Sequence, residues 1–210
     1  MAVNKAIEPE RRKLGPRGSY FPEATRATLL EASVALFGER GFHNTTVEQI
    51  TDRAGVTKGA FYHHFESKED VLRQIHAEYA DEMVRGARDV VAEDQRPIDQ
   101  LRALIMRAVV TLGNYASHVA VFYQEYRFLS GKSYAAIRAM HDEEEAILLD
   151  VIERGKAAGE LRPDVDPKLL MFAISGITAW TYQWYQETGP TTLDEIATYM
   201  ADTIMHGAAN

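Results

Sequence analysis

Between Thr45 and Lys68 the chain reads TTVEQITDRAGVTKGAFYHHFESK, and several side chains in this stretch have the chemistry of nucleic-acid contact. Lys58 can reach a base edge or a phosphate, and Thr57, Tyr62 and His63 add hydroxyl and imidazole groups on the same short run. Gly59 and Ala60 are small, which permits close backbone approach and apolar contact with a thymine methyl. His63 and His64 are adjacent, so on a helix they point in different directions, and neither has the spacing of a metal ligand.

A second group, His141-Asp142-Glu143-Glu144-Glu145, invites a metal reading because His141 and Glu145 share one helix face. A carboxylate-bridged metal centre in a helical bundle is built from Glu-x-x-His pairs, and no histidine here has a carboxylate three residues before it. The run is therefore expected to be a solvated, charged face, with no metal and no cofactor. Gly-x-Ser-x-Gly, P-loop and Gly-x-Gly-x-x-Gly patterns are missing, so no enzyme is expected. A third group is aromatic: Tyr115, Phe122, Tyr123, Tyr126, Phe128, Trp180, Tyr182 and Trp184. Together they suit an apolar cavity with a few polar anchors, for which Arg127, Arg138 and Gln183 are candidates toward an anionic head group.

The elements that must position these residues are all helical. Thr46 and Gln49 have capping-box spacing, which predicts a helix from Val47 to Ala54 that Gly55 ends in the left-handed conformation. Thr57 can cap a second helix from Lys58 to about His64, and Ser67 a third. Ile50, Ala54, Val56, Phe61 and Phe65 are the apolar points that lock the pair at a steep angle. This is the pattern of a helix-turn-helix, whose second helix can enter a major groove.

Upstream, Leu30, Val34 and Phe37 mark a helix from about Glu23 to Arg40. Helix 4 is expected from Ser67 to about Val91, with Leu72, Ile75, Tyr79 and Met83 on one face. Five more follow: one opened by Pro97, then His118–Leu129, Ser133 to about Ala158, Asp166-Pro167 to about Glu187, and a last one capped by Thr192 and Glu195. The chain is thus read as all-α with about nine helices: a flexible basic arm over 1–22, a helix-turn-helix domain over 23–68 and a helical bundle over 69–210. In helix 8, Leu170, Ile174, Ile177 and Trp184 form one stripe, while Phe172, Ala173, Gly176 and Trp180 fill other sides. A helix apolar nearly all round is buried on more than one face. The second face is expected to be a homodimer interface, formed by Leu170–Trp184 together with Leu193–Ile204.

Gly41-Phe42, Thr45-Thr46-Val47, Ile50, Ala54-Gly55-Val56, Gly59, Tyr62, His64-Phe65, Lys68-Glu69 and Leu72 resemble the N-terminal signature of the TetR family of one-component repressors. The resemblance covers roughly residues 23 to 73. It implies that Tyr62 and Lys68 bind phosphates, that Thr46 also meets the DNA backbone, and that a ligand pocket lies within helices 4 to 8. Farther on, FYQEYRFLS, GELRPDVD and WYQETGP look like the TetR-type regulators of fatty-acid, phenylacetate and steroid-ring catabolism that respond to acyl-CoA thioesters. Gln183 departs from the arginine that some of these carry before the residue matching Trp184. The resemblance implies a repressor released from a palindromic double-stranded operator by an acyl-CoA. Ligand-binding candidates are then Tyr115, Phe122, Tyr123, Tyr126, Arg127, Trp180, Gln183 and Trp184. A neutral or cationic hydrophobic, drug-like compound is the alternative effector, for which an acidic residue such as Glu125 matters more than Arg127, and a metal- or ligand-binding helical bundle with no DNA role is the alternative class.

Net charge, -8 over 210 residues, argues against a nucleic-acid partner until the chain is divided. Residues 1–76 carry 11 Lys/Arg against 10 Asp/Glu, and the remaining 134 carry 12 against 21. A near-neutral head on an acidic body is compatible with DNA binding, because only the facing surface has to be positive. Cysteine is absent, which excludes a disulfide framework and a Cys-ligated zinc. No signal peptide and no apolar run of membrane-spanning length is seen, so the cytoplasm is the expected compartment.

Overall fold

The computed structural model describes residues 22–126 and 131–209, the side chains at 22, 132 and 133 excepted. The expected basic arm over 1–22, Arg127 and Phe128 therefore lie outside the described residues, save for the backbone of Pro22. Helix α1 (Pro22–Arg40) leads into α2 (Val47–Ala54), α3 (Lys58–His64) and α4 (Lys68–Ala92). The body continues with α5 (Pro97–Asn114), α6 (Ala116–Glu125), α7 (Gly131–Ala157), α8 (Pro167–Ala179), a single turn α9 (Thr181–Trp184) and α10 (Leu193–Ala208). The architecture is all-α among the described residues, where the only pairing of extended backbone is one bridge between Leu161 and Ala209.

The caps form as the sequence dictates. The Thr46 hydroxyl accepts from the Gln49 amide while the Gln49 side chain accepts from the Thr46 amide, which closes a capping box. Gly55 ends α2 at φ 68°, and Thr57, Ser67, Asp166 and Thr192 each accept from an amide of the helix they open. Phe37, Ile50, Phe61, Phe65 and Leu72 pack the interior of the head at no more than 1% exposure. Each buried side chain of that size contributes about 1.5–3 kcal/mol before the entropy of ordering is counted.

Helix α4 belongs to both halves. Val71, Leu72 and Ile75 complete the head's core, whereas Ala87 packs in the body with Leu101, Ile105, Val151 and Ile152. The head's core also takes in Val121 and Phe122 from α6, so α6 touches it directly. No single described helix is long and apolar enough to cross a membrane.

One helix differs from expectation. The stretch read as helix 8 through Glu187 breaks at Trp180 into α8 and the one-turn α9. Thr178 donates its hydroxyl back to Ile174 O at 2.9 Å, a bond that bends helices, and Thr181 is fully buried just past the break. Helix α6 runs Ala116–Glu125, and the expected end at Leu129 lies outside the described residues.

Candidate functional site

In the head, α3 gathers the expected DNA-facing residues onto one outward side. Thr57, Lys58, Gly59, Tyr62 and His63 are exposed, Tyr62 by 54%, while Phe61 between them is fully buried. Ala60 is half-buried. The Thr46 and Thr57 hydroxyls each accept one amide as a cap, and each keeps an O–H that can donate. Tyr62 stands edge-on to Phe61 with centroids 5.2 Å apart, so its ring is braced and its hydroxyl projects from the surface.

Lys68 is placed differently from the rest. Its ammonium donates to Phe42 O at 2.5 Å and to Thr45 O at 2.6 Å, and it sits 4.3 Å over the Phe42 ring. Burial lowers its pKa, opposed by the charge of Glu125. The Glu125 carboxylate is 7% exposed and accepts the Phe42 amide at 2.9 Å. The loop that follows α1 is thus held from α4 by a cation and from α6 by an anion. As an acidic partner for a cationic ligand inside the bundle, Glu125 is overturned: its carboxylate turns to the head and is spent there.

In the body, five of the expected ligand residues fall into one aromatic network. Phe122 stacks on His76 at 3.7 Å between centroids and meets Tyr123 and Tyr126 at 5.7 and 5.8 Å. Tyr123 stacks on Tyr182 at 5.1 Å and 8°, and Trp180 meets Tyr182 edge-on at 6.3 Å. Through Tyr79 the network reaches Tyr115. Gln183 donates to the Tyr182 hydroxyl at 2.6 Å. Trp184 is not part of it. With Ile177, Tyr199, Met200 and Ile204 it lines a groove of about 370 Å³ on the outer face of α8 and α10. Trp180 is 61% exposed, so only its edge joins the network. Arg138 is spent on the surface, paired with Asp142 at 3.0 Å, and does not anchor a head group inside the bundle.

The acidic run on α7 also departs from expectation. Asp142 and Glu143 are exposed, but His141 turns inward, with its Nε2 3.1 Å from Nε2 of His76. His76 is 1% exposed; desolvation, with His141 adding to it, pushes its pKa down to about 3. Glu144 lines a cavity with Met83, Leu104, Arg107, Ile174 and Thr178, and burial pushes its carboxyl up to about 7. Arg107 reaches this cavity because Gly86 of α4 carries no side chain: a Cβ there would collide with Arg107 Nε. Periodicity offered one signal that was missed: His76 sits one turn from Leu72 and from Tyr79, on the buried stripe of α4.

A pH dependence follows. Between pH 4.5 and about 7 the folded chain retains a proton on Glu144 that the unfolded chain has released, so stability falls as pH rises through that window. At about 1.4 kcal/mol per pKa unit, discounted for water in the cavity, the loss is about 1–2 kcal/mol. His76 acts oppositely: the unfolded imidazole binds a proton below 6.5 that the folded one refuses, so stability falls as pH drops toward 3. Urea denaturation at pH 5 and pH 8 is expected to show Glu144→Gln losing less stability than the wild type. Equal losses would mean that Glu144 ionises as freely as a surface carboxylate.

With this geometry in view, comparison with known proteins is informative. Residues 94–208 match the family model for the tetracyclin repressor-like C-terminal domain, and residues 29–75 match that for bacterial regulatory proteins of the tetR family. The HTH-type transcriptional repressor KstR2 of Mycobacterium tuberculosis is 30% identical over 183 residues, which span 87% of this chain and 92% of that protein. The structure of the ketosteroid transcriptional regulator KstR2 of Mycobacterium tuberculosis superposes with a TM-score of 0.80 at 29% identity, covering 88% and 95% of the two chains. AibR, solved in complex with isovaleryl coenzyme A and operator DNA, gives 0.74 at 26% identity over 85% and 97%.

Proposed function

Because the chain belongs to the TetR family of transcriptional regulators, we propose that it is a cytoplasmic, dimeric repressor released from a palindromic operator by an acyl-CoA thioester. The regulators of this family are not enzymes. The likeness to AibR, bound to isovaleryl coenzyme A and to operator DNA, supports the effector class, and the aromatic interior of this chain suits an acyl group. Thr46, Thr57, Lys58, Gly59, Ala60, Tyr62 and His63 are the residues assigned to the operator. Phosphates are met by the hydroxyls and Lys58, and base edges by the short side chains of α3. The dimer forms through α8, α9 and α10, whose outer faces expose Phe172, Ile177, Trp184 and Tyr199.

The observation that carries the release mechanism is on α6. One face of that helix presents Phe122 to His76 in the body, and its last residue, Glu125, holds the Phe42 amide of the head. A ligand that displaces Phe122 moves Glu125, and with it the loop that positions α2 and α3. Ligand and operator then favour different arrangements of one element, so their coupling is negative and reciprocal. A coupling of about 1–3 kcal/mol weakens DNA binding roughly 5- to 150-fold.

Fluorescence anisotropy on an operator selected from random duplexes tests this. A saturating acyl-CoA is expected to raise the operator Kd within that range. In Glu125→Leu the acyl-CoA still binds, by calorimetry, but the Kd shift shrinks toward unity. An operator Kd indifferent to every bound CoA thioester would sink the repressor-release reading, and a full shift in Glu125→Leu would sink the route through α6.

A further inference from the structure

Two buried side-chain atoms among the described residues have no hydrogen-bond partner: Nδ1 of His76 and Nε of Arg107. Buried polar groups are paired in the great majority of cases, and leaving one unpaired costs about as much as the hydrogen bond it lacks, so each asks for an explanation. A third polar group lies beside Arg107. The Glu144 carboxyl lines a cavity with it and stands near enough to Tyr79 and Tyr123 for its charge to bear on both hydroxyls. His76 and its partner His141 belong to the same pair of helices, α4 and α7, as the cavity residues Met83 and Glu144. His76 and Met83 are seven residues apart on α4, about 10 Å at 1.5 Å per residue, and His141 and Glu144 are one turn apart on α7.

Whichever imidazole donates in the His76–His141 contact, Nδ1 of His76 is left over. If His76 donates through Nε2, its Nδ1 is an idle acceptor; if His141 donates, Nδ1–H is an idle donor. Arg107 Nε–H is a donor in either case. The rest of the cavity lining is mostly hydrocarbon, from Met83, Ala87, Leu104, Ala108, Leu148 and Ile174, with Ser175 and Thr178 beside it and the Thr178 hydroxyl already spent on Ile174 O. An interior built for a plain alkyl chain has no use for two unpaired polar atoms and a buried acid.

Resting on the acyl-CoA reading above, we propose that the seam between α4, α5 and α7 receives the acyl part of the effector. It selects an acyl group bearing uncharged oxygen, ketone or hydroxyl, over an unsubstituted chain. Charge narrows the class. A ligand cation would meet the guanidinium of Arg107, which lines the same cavity. A ligand carboxylate would meet Glu144 and gain little from Arg107, which is already paired with Glu82 at 2.5 Å. A carbonyl oxygen can accept from Arg107 Nε–H and from a protonated Glu144, and a hydroxyl can satisfy His76 Nδ1 in either tautomer. The cavity measures about 30 Å³, room for a water-sized group, so binding has to part α4 from α7. Parting them disturbs His76 and hence Phe122, the element through which release is transmitted.

Calorimetric titration with hexanoyl-CoA, 5-oxohexanoyl-CoA, adipoyl-CoA and 6-aminohexanoyl-CoA, beside the hexanoyl and 5-oxohexanoyl thioesters of N-acetylcysteamine, tests the proposal. The oxo compound is expected to bind roughly tenfold or more tighter than its alkyl counterpart on both carriers, and tighter than either charged analogue. In Glu144→Leu that preference collapses, while Glu144→Gln, which keeps an amide donor, retains it. Alkyl binding equal to or tighter than oxo binding overturns the selectivity while leaving the acyl-CoA reading intact. An oxo preference on N-acetylcysteamine without any gain from CoA upholds the selectivity and overturns the CoA reading. Silence across all six compounds at millimolar concentration overturns both.

Discussion

Lys68→Met is expected to weaken operator binding by destabilising the head, whereas Lys58→Ala weakens it with the head intact. The resemblance assigns Lys68 to a phosphate, and the reading of the recognition helix assigns Lys58 to a base edge or a phosphate, but the structure gives them different physical positions. Lys58 is exposed on α3. Lys68 is half-buried, and its ammonium joins two loop carbonyls, Phe42 O and Thr45 O. Charge-assisted hydrogen bonds of this kind contribute about 1.5–3 kcal/mol each, and the contact over the Phe42 ring adds about 1 kcal/mol. Losing them together costs about 3–5 kcal/mol once relaxation is allowed, a large share of the stability of a small domain. The loss falls where it matters, because Thr45 and Thr46 fix the start of α2. Salt dependence separates the two roles. Each phosphate contact contributes about one to the slope of log affinity against log salt, so Lys58→Ala lowers that slope by about one at unchanged melting temperature. Lys68→Met lowers the melting temperature by several degrees. If it instead melts like the wild type and only loses one from the salt slope, Lys68 serves the operator, and its contacts with the loop carbonyls are incidental.

What could be read from the sequence was whatever depends on local chemistry. The capping box at Thr46 and Gln49, the left-handed Gly55 and the caps at Thr57, Ser67 and Thr192 are decided by residues three apart, and they form as expected. The break at Trp180 was not legible, because TAWTYQWY continues a helical apolar pattern; a threonine hydroxyl folded back on the helix and a buried Thr181 decide it. The polar seam was hidden for another reason. His141 and Glu144 sit in a run of acids that reads as a solvated face, and only the approach of α4, 65 residues away at His76, turns them inward. Glu125 is a similar case, since its partner at Phe42 is 83 residues distant. Spacing along the chain reports which residues share a helix face, not what stands opposite that face. Binding sites in a helical bundle are made of what stands opposite.

Ile177→Glu is expected to convert the protein to monomers and to cost at least about a hundredfold in operator affinity. The α8–α10 surface carries Leu169, Phe172, Ile177, Trp184 and Tyr199 at 44–75% exposure, while Met171, Ile174 and Thr178 on the other side of α8 are buried in the body. A monomer rarely leaves so many large apolar side chains in water side by side. Small residues are interleaved with them: Gly176 has nothing within 4 Å of where its Cβ would be, and Ala173 is exposed. Large side chains beside gaps make a surface that interlocks with a copy of itself, and a two-fold pairing needs that self-complementarity. A carboxylate at position 177 would have to be desolvated in an apolar interface, at a cost of several kcal/mol. Operator affinity suffers because the second head is bound at the effective concentration set by the dimer, a gain of about 10²–10⁴ that a monomer forfeits. Sedimentation velocity at micromolar concentration, with operator titration in parallel, measures both effects. Tyr134→Glu, on the exposed side of α7, serves as the control for added surface charge. A dimer that survives Ile177→Glu would place the interface elsewhere. A monomer that still binds the operator at wild-type affinity would mean that one head suffices.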